Sequence, residues 1–196
     1  GDEIFRDADS IALEIDMDKE IVKRVFAFAE KYHKPVFAVV SNMSIAVERR
    51  DFLRSCACFV CNQQEAGILF SEDYEGKTPA ELETVLAHHV QAAALPGIVV
   101  TMGEQGAVYA TLDGERGWCP AKRVDVKDTT GAGDAFFAGV TMGLTYGKTL
   151  AESCTIGARL AASVICTSEN VCPRFLPSEF GLKAPDSDDG QLALEL

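Results

Sequence analysis

Short β-rich runs alternate with longer stretches of helical periodicity along most of this chain, and this alternation restricts its fold more than any other feature. Between the β-rich runs Ser10–Ile15 and Pro35–Val40, the segment Lys19–Tyr32 places apolar residues at helical spacing. A strand, a helix and a second strand in this order form the unit from which parallel sheets are built. The sequence therefore predicts an α/β fold in which a Rossmann-like, mainly parallel sheet is flanked by helices.

The same alternation continues towards the C-terminus, and neither an internal repeat nor a linker divides the chain. The remaining predicted helices are Ala46–Leu53, Gln63–Phe70, Pro79–Ala94, Gly133–Tyr146 and Thr149–Cys166, and the remaining strands are Ala57–Cys61, Gly97–Met102 and Ala107–Leu112. A hairpin turn is predicted at Gly103–Gly106, a tight turn at Asp113–Gly117 and an irregular, partly extended segment at Trp118–Val126. One domain is expected over residues 1–183, and the acidic, aperiodic segment 184–196 is predicted to be a disordered tail.

Charge and hydropathy argue against two classes of partner. The chain has a net charge of −12 and no cluster of Lys or Arg, whereas nucleic-acid phosphates are held by such clusters. Its longest apolar runs are far shorter than the roughly 20 residues that cross a bilayer, and its first residues show no secretory signal. We therefore expect a soluble, cytoplasmic protein that binds neither nucleic acid nor membranes. Backbone N–H groups still allow so acidic a chain to bind an anionic ligand.

The cysteines favour a reduced protein. There are seven of them, and an odd number spread over α/β-like sequence fits free thiols better than a disulfide framework. Cys56, Cys58 and Cys61 are close enough in sequence to raise the hypothesis of a metal site. No second pair of ligands lies at zinc-finger spacing, and the segment is apolar. Buried structural cysteines are the favoured interpretation.

The segment Asp128–Gly139, Asp-Thr-Thr-Gly-Ala-Gly-Asp-Ala-Phe-Phe-Ala-Gly, places small residues directly before an apolar helical run. Such a turn directs free N–H groups at a helix N-terminus towards an anion, and glycines let a ligand approach the backbone closely. A carboxylate in the first helical turn, here Asp134, is placed to accept a proton from a hydroxyl during phosphoryl transfer. On spacing alone, an equally good interpretation is that Asp134 caps the helix and that the glycines form a tight turn.

This segment resembles the C-terminal signature of the ribokinase-like, or pfkB, carbohydrate kinase family. The resemblance implies an ATP-dependent phosphotransferase that acts on a hydroxymethyl or other alcohol group of a sugar or nucleoside. It also implies that Asp134 is the general base and that Gly131, Ala132 and Gly133 form the anion hole. The alternative is a non-catalytic ligand-binding or regulatory relative, or an inactive fragment of the kinase. The presence of Asp134 argues against a non-catalytic relative.

Two further segments resemble family elements in the family's order. The segment from Asn62 to Glu65, Asn-Gln-Gln-Glu, is similar to the Asn-x-x-Glu element that helps to hold Mg²⁺ and the phosphates. The segment that contains Thr101, Gly103 and Gly106 is similar to the Thr-x-Gly-x-x-Gly element of the nucleotide site. The resemblance thus implies that these five residues bind ATP and that Glu65 binds its magnesium ion. The alternatives are an ordinary helix N-cap with a capping-box acid and a plain hairpin turn.

The resemblance also implies a site for a monovalent cation such as K⁺. The segment Ala161–Pro173 is similar to the family's last helix and to the loop that borders adenine and often this cation. Asp128, through its carboxylate, and Thr130, through its carbonyl, are then expected to be ligands. Asn170 stands where the family commonly has glycine, and asparagine tolerates the left-handed conformation.

The resemblance covers only the later part of the family's fold, so the fold is predicted to be truncated at its N-terminus. A full-length protein is expected to add the first strands, a Gly-Gly element that contacts the sugar, and a β-sheet lid that implies a homodimer. By itself the chain is expected to expose a sheet edge, to bind nucleotide weakly and to phosphorylate little. The acceptor therefore stays open. The segment Ser41–Ser44 departs from the Asn-Pro segment of many sugar kinases, and a nucleoside such as pseudouridine, or a pentose, is the leading hypothesis.

Overall fold

The computed structural model describes residues 2–40, 42, 47–48, 50–168, 171–173 and 175–182, so the predicted tail lies outside the described residues. In chain order the helices are α1 (Glu3–Asp7), α2 (Lys19–Tyr32), α3 (Arg50–Ser55), α4 (Gln63–Phe70), α5 (Pro79–Ala93), α6 (Ala132–Thr145) and α7 (Leu150–Ile165). The strands are β1 (Ile11–Glu14), β2 (Val36–Val39), β3 (Cys58–Asn62), β4 (Gly97–Thr101), β5 (Ala107–Thr111) and β6 (Arg116–Cys119). Over these described ranges, every helix is too short or too polar to cross a membrane.

The strands form one six-stranded sheet in the order β1-β2-β3-β4-β5-β6. Strands β1 to β4 are parallel, because at least one helix separates each of them from the next. Strands β5 and β6 are antiparallel to their neighbours, since the turns that precede them are too short to contain a crossover helix. The predicted hairpin at Gly103–Gly106 is confirmed. The α/β prediction is confirmed as well, with a mixed sheet whose first four strands are parallel.

Local capping sets the helix ends, and the predicted ranges of α2 and α4 agree with the structure. At the start of α2, the Asp18 carboxylate accepts the N–H groups of Glu20 and Ile21. The helix stops at His33, which adopts the left-handed conformation with φ 52°. Ala94 does the same after α5, with φ 51°, so this helix ends one residue before its predicted end.

Helices cover both faces of the sheet, and each face has its own hydrophobic core. On one face, Phe59 and Ile98 are central to the core formed with α2, α4 and α5. On the other face, Val60 and Val99 pack with Phe136 of α6 and with residues of α7. Successive residues of a strand point to opposite faces, so Phe59 and Val60 belong to different cores. The second core holds α6, and with it the glycine-rich signature, against the middle strands.

The three clustered cysteines are divided between these two cores. Cys56 and Cys61 belong to the core under α2, α4 and α5, whereas Cys58 belongs to the core under α6 and α7. All three are buried. Across the part of the chain that the structure describes, no group of three or more His, Cys, Asp or Glu side chains is placed to hold a metal ion. This arrangement agrees with the interpretation as buried structural thiols and not with a cysteine metal site.

Burial also predicts which thiols are chemically inert. It raises the pKa of the Cys56 thiol to about 12 and raises the pKa values of Cys58 and Cys61. The thiolate is the reactive form, and a thiol with a pKa of about 12 is ionised to only about one part in ten thousand at pH 8. We therefore expect iodoacetamide at pH 8 to modify only the partly exposed Cys166 and Cys172 in the folded chain. Peptide mass spectrometry measures this, and rapid modification of Cys58 before unfolding in urea would contradict its burial.

Helices α6 and α7 contact each other backbone to backbone where glycines meet. A Cβ atom added at Gly139 would lie 2.6 Å from the Cα of Gly157. A Cβ atom added at Gly143 would lie 2.5 Å from Ser153 Oγ. Both distances are shorter than real Cβ contacts, so the crossing leaves no room for side chains at these positions. Helix α6 is therefore held directly on α7.

Strand β6 and helix α1 are two elements that the sequence did not predict. β6 replaces the start of the predicted irregular segment, and the predicted turn Asp113–Gly117 is correspondingly shorter. In the sequence Arg-Gly-Trp-Cys only Trp118 favours a strand, so the strand depends mainly on pairing with β5. Gly117 allows this pairing, because a Cβ atom there would lie 2.6 Å from Tyr109 Oη.

Candidate active site

The carboxyl ends of β3 and β4 lie side by side and bring two of the predicted ligand-binding segments together. Asn62, the last residue of β3, is the register partner of Thr101, the last residue of β4. The Thr101 hydroxyl donates a hydrogen bond of 3.4 Å to the carbonyl oxygen of Cys61. In open α/β sheets, ligands bind outside the carboxyl ends of the parallel strands. This edge is therefore the candidate active site.

Asn62 and Glu65 form a capping box at the start of α4. Asn62 Oδ1 accepts the N–H of Glu65 at 2.9 Å, and Glu65 Oε2 accepts the N–H of Asn62 at 2.7 Å. Partial burial raises the pKa of Glu65, and the nearby carboxylate of Asp16 raises it further. The structure therefore shows the helix-capping arrangement that was considered as the alternative. It does not exclude ligand binding, because a carboxylate has two oxygens and the cap uses one.

The turn after β4 is a short 3₁₀ helix, Gly103–Gln105, followed by Gly106. Gly106 has φ 97°, and a Cβ atom at this position would collide with the carbonyl oxygen of Cys119 in β6. The fold therefore requires glycine at position 106 independently of any nucleotide. Trp118 Nε1 donates to the carbonyl of Gln105 at 2.6 Å, so the single tryptophan of the chain lies against this turn.

The signature begins with a turn that leads into α6. Asp128 Oδ1 accepts the N–H of Thr130 at 2.9 Å, and this bond lowers the pKa of the Asp128 carboxyl. Gly131 follows with φ 80°, a left-handed conformation that glycine adopts without strain. The helix then begins at Ala132, one residue before its predicted start.

The N-terminus of α6 has no side-chain cap, unlike those of the other helices of eight or more residues in the described ranges. Helices α2, α4, α5 and α7 each begin with a side chain that accepts backbone N–H groups, whereas α6 has Gly131 at its N-cap. The Ala132 N–H reaches the carbonyl of Thr129 at 3.2 Å. The N–H groups of Gly133 and Asp134 have no hydrogen-bond acceptor among the described residues. These donors lie at the positive end of a helix and form an open site for an anion.

Asp134 and Gly133 have no structural role that explains their identity. Asp134 is exposed, and its carboxylate accepts no hydrogen bond from any residue that the structure describes, so the alternative of a helix-capping Asp134 has no support. A Cβ atom at Gly133 would meet nothing within 4 Å, and the residue is not among the glycines with positive φ. Neither collision nor strain accounts for glycine here. The open space beside Gly133 would let a ligand approach the backbone closely.

Glu65 and Asp16 offer the oxygen ligands that Mg²⁺ prefers. Glu65 is partly buried at the start of α4. Asp16 follows β1, and its Oδ1 atom is buried without a hydrogen-bond partner among the described residues. A buried carboxylate oxygen without a donor is a suitable ligand for a cation. The residues at this edge therefore fit a magnesium ion.

The predicted ligands of a monovalent cation lie together in the turn before α6. Asp128 and Thr130 are both exposed and are joined by the hydrogen bond described above. The Lys127 N–H donates to the carbonyl of Ile165 at 2.8 Å, which attaches this turn to the end of α7. Asn170 lies outside the described residues. The monovalent-cation site accordingly stays a prediction.

Sequence reasoning missed two residues at this edge of the sheet, Asp16 and Trp118, and one residue at the opposite end, Glu115. Asp16 and Trp118 are distant in sequence from the segments they approach, so only the folded sheet reveals them. Glu115, in the turn between β5 and β6, accepts the N–H of Ala151 at 3.1 Å in the first turn of α7. A usable signal existed only for Asp16, because an acid directly after a predicted parallel strand lies at the ligand-binding edge.

Comparison with known proteins places this geometry in one family. The family model for pfkB family carbohydrate kinases matches residues 4–173. The chain is 34% identical over 163 residues to guanosine-inosine kinase of Exiguobacterium acetylicum. The aligned region covers 83% of this chain and 53% of that protein. The chain is also 31% identical over 137 residues to ribokinase of Schizosaccharomyces pombe. This aligned region covers 68% of this chain and 42% of that protein.

Solved structures show the same fold. A probable sugar kinase from Rhizobium etli CFN 42 matches with a TM-score of 0.77 and 26% identity over 93% of this chain and 57% of that chain. An adenosine kinase from Sinorhizobium meliloti matches with a TM-score of 0.71 and 24% identity over 87% of this chain and 53% of that chain. The chain spans about half the length of the curated relatives it matches. It belongs to the pfkB family of carbohydrate kinases.

Proposed function

We propose that this chain is the phosphoryl-transfer portion of an ATP-dependent kinase that phosphorylates an alcohol group of a sugar or nucleoside. Gly131, Ala132 and Gly133 form the anion hole, and Asp134 is the general base. Thr101, Gly103 and Gly106 line the nucleotide site. Asn62 and Glu65 hold the phosphates and Mg²⁺, and Asp128 and Thr130 bind a monovalent cation such as K⁺.

The observation that supports this proposal most strongly is the uncapped N-terminus of α6. The N–H groups of Gly133 and Asp134 lack acceptors within the described residues, in a helix whose long neighbours are all capped. Donors at a helix N-terminus stabilise negative charge, and phosphoryl transfer spreads negative charge over the transferred group. The same turn presents an exposed carboxylate. One short segment thus combines an anion site with a proton acceptor.

The proposed step is an in-line transfer. The acceptor hydroxyl oxygen forms a bond to the γ-phosphorus of ATP while its proton passes to the Asp134 carboxylate. The bond between the γ-phosphorus and the β,γ-bridging oxygen breaks, and ADP leaves with that electron pair. The N–H groups of Gly133 and Asp134 stabilise the transferred phosphoryl oxygens. When bound at Glu65, Mg²⁺ supplies positive charge that neutralises the phosphate oxygens.

A nucleoside or a pentose is the proposed acceptor class. Its support is the similarity to relatives that are named for such substrates: guanosine-inosine kinase at 34% identity, ribokinase at 31%, and pseudouridine kinase of Escherichia coli at 30% over 61% of this chain. A screen of purine nucleosides, pseudouridine, ribose and deoxyribose with ATP, read as ADP release by the full-length protein, identifies the acceptor. ADP release that no alcohol stimulates would contradict the proposal.

The anion hole is tested by Gly133→Ala. The fold has space for the added methyl group. We therefore expect the free energy of unfolding to stay unchanged or to rise by up to about 1 kcal/mol, as for other glycine-to-alanine changes in helices. The methyl group should displace the phosphates from the N–H groups. ATP affinity is then expected to fall about tenfold or more, because hydrogen bonds to charged groups are worth about 1.5–3 kcal/mol.

Trp118 provides the readout, since it is the single tryptophan and lies against the Gly103–Gln105 turn. Its fluorescence is followed while the wild type and the variant are titrated with ATP, and calorimetry is used as a second measurement. An unchanged ATP affinity in a folded Gly133→Ala protein would rule out the proposed anion hole.

A further inference from the structure

The last described residues of the chain, 175–182, form a short segment that packs on α6 and α7, and we call it the C-terminal segment. Its two phenylalanines pack against a small hydrophobic cluster made of Ala135 from α6 with Leu160 and Val164 from α7. Ala135 directly follows Asp134 in the first turn of α6. The C-terminal segment therefore packs against the same helical turn that carries the proposed general base.

Backbone hydrogen bonds do not attach the C-terminal segment to its neighbours. Among the described residues, the bonds of its backbone stay inside it and belong to a short 3₁₀ helix, Pro177–Phe180, and to the end of this helix. The N–H of Leu182, for example, donates to the carbonyl of Pro177 at 3.1 Å. The attachment to α6 and α7 thus depends on side chains.

Arg159 of α7 makes several contacts with the C-terminal segment at once. Its guanidinium carbon lies 4.6 Å from the ring centre of Phe180 and 5.4 Å from the ring centre of Phe175. Its Nη1 atom donates to the carbonyl oxygen of Glu179 at 3.0 Å, and its Nη2 atom lies 3.6 Å from Oε2 of the same residue. A guanidinium stacks on aromatic rings and presents its donors in a planar fork, which the ammonium group of lysine does not reproduce.

A cysteine marks the place where the C-terminal segment approaches α7. Cys172 packs against the same cluster as Phe175 and Phe180, and its thiol donates to the carbonyl of Leu160 at 3.7 Å. Leu160 is the neighbour of Arg159 in α7. The accessibility of the Cys172 thiol therefore reports whether the segment is in place.

We propose that Arg159 is a positioning residue: it fastens the C-terminal segment onto α6 and α7, and the fastened segment keeps the first turn of α6 in place for phosphate binding. The second half rests on the proposed function, in which the N–H groups of Gly133 and Asp134 bind phosphate. Ala135 is buried in the next position of the same turn. Loss of the packing against Ala135 would leave this turn free to shift, because a close-packed neighbour is what holds a helix in position.

The fastening is tested by the rate at which iodoacetamide modifies Cys172 in the full-length protein, measured by peptide mass spectrometry. Arg159→Ala removes the guanidinium from both rings and from Glu179. The segment should then open more often, and Cys172 should react about fivefold to tenfold faster, because local opening controls access to its thiol. Cys166, at the end of α7, should react at an unchanged rate.

Two further variants show whether the effect belongs to the guanidinium at this position. Arg159→Lys keeps the charge and loses the planar group, so it should accelerate the modification of Cys172 less than Arg159→Ala does. Arg24→Ala is the matched control. Arg24 also lies over an aromatic ring, 5.6 Å from the ring centre of Phe28, but in α2. Its replacement should leave the reaction of Cys172 unchanged.

Cys154, which is buried in α7, separates local opening from loss of the fold. It should stay unmodified in Arg159→Ala during the time in which Cys172 reacts. Equal acceleration at Cys154 and Cys172 would mean that the whole fold opens. An unchanged rate at Cys172 would mean that Arg159 does not fasten the segment. Either result would overturn the proposal.

The effect on the active site is measured by ATP kinetics of the full-length protein with the acceptor found by screening. Arg159→Ala should raise the KM for ATP about threefold or more and leave the KM for the acceptor unchanged, because small displacements of binding groups weaken the interactions they make. A lower kcat with both KM values unchanged would indicate only a loss of folded enzyme and would contradict a positioning role.

Gly133→Ala keeps the failure of this inference distinct from the failure of the proposed function. If Gly133→Ala binds ATP as the wild type does, the proposed anion hole is wrong, and the modification rate of Cys172 still decides whether Arg159 fastens the segment. If Gly133→Ala loses ATP affinity and Arg159→Ala keeps the wild-type KM for ATP, the anion hole stands and the positioning role of Arg159 is wrong.

Discussion

Replacing Asp134 by Asn in the full-length protein is expected to lower acceptor-dependent ADP release by about 10²–10⁴-fold, the range that general acid–base groups contribute. Asparagine has nearly the same shape as aspartate but does not accept the hydroxyl proton. The carboxylate is exposed and makes no hydrogen bond to the described residues, so the substitution breaks no contact in the fold. Thermal stability and ATP affinity should both stay close to those of the wild type. A coupled assay of ADP, with calorimetry for ATP binding, measures the two effects separately.

The control is Asp125→Asn, which removes an exposed carboxylate from the segment before the signature. It should leave turnover unchanged. Wild-type turnover in Asp134→Asn would exclude Asp134 as the base and would favour a different proton acceptor. A full-length wild type that binds ATP but never phosphorylates an alcohol would instead favour the non-catalytic relative considered from the sequence.

Replacing Gly139 by Ala should strongly destabilise the chain. The new Cβ atom would lie 2.6 Å from the Cα of Gly157, so the two helices must separate. Overpacking of this kind costs about 1–3 kcal/mol, and we expect the upper end because the obstacle is backbone and not a movable side chain. Urea denaturation followed by circular dichroism measures the free energy of unfolding.

The same helix provides a control substitution that is not expected to lower the free energy of unfolding. Gly133→Ala is an identical chemical change, made where an added Cβ meets nothing within 4 Å, and it should not destabilise the chain. Equal destabilisation by the two substitutions would show that helix propensity, and not the crossing with α7, governs these positions. A loss of ATP affinity in Gly139→Ala at temperatures where it is folded would show that the crossing also positions the anion site.

Elements with local signals could be predicted from the sequence. Helices α2 and α4 begin at their own capping residues, Asp18 and Asn62, and the ranges predicted from apolar spacing agree with the structure. Strand β6 has no such signal, because Trp118 and its neighbours become a strand only by pairing with β5. Residue propensity reflects the local sequence, whereas the formation of an edge strand depends on hydrogen bonding to the neighbouring strand.

The candidate site likewise contains residues that the sequence could predict and residues that only the fold brings together. The signature from Gly131 to Asp134 is contiguous, so its sequence already implies a turn followed by a helix N-terminus. Asp16 belongs to no motif, and its relation to Glu65 depends on the order of three strands. The glycines show a further limit of prediction from sequence. Sequence alone does not distinguish Gly106, which the fold requires, from Gly133, which it does not.

The contact between Gly139 and Gly157 also has a mechanical consequence. The close contact leaves α6 no room to shift towards α7, so the position of α6 at the candidate active site is coupled to that of α7. The first turn of α7 is anchored at the far end of the sheet by the Glu115 carboxylate, which accepts the N–H groups of Leu150 and Ala151. The position of Asp134 in the first turn of α6 therefore depends, through α7, on the hairpin between β5 and β6 at the opposite end of the sheet.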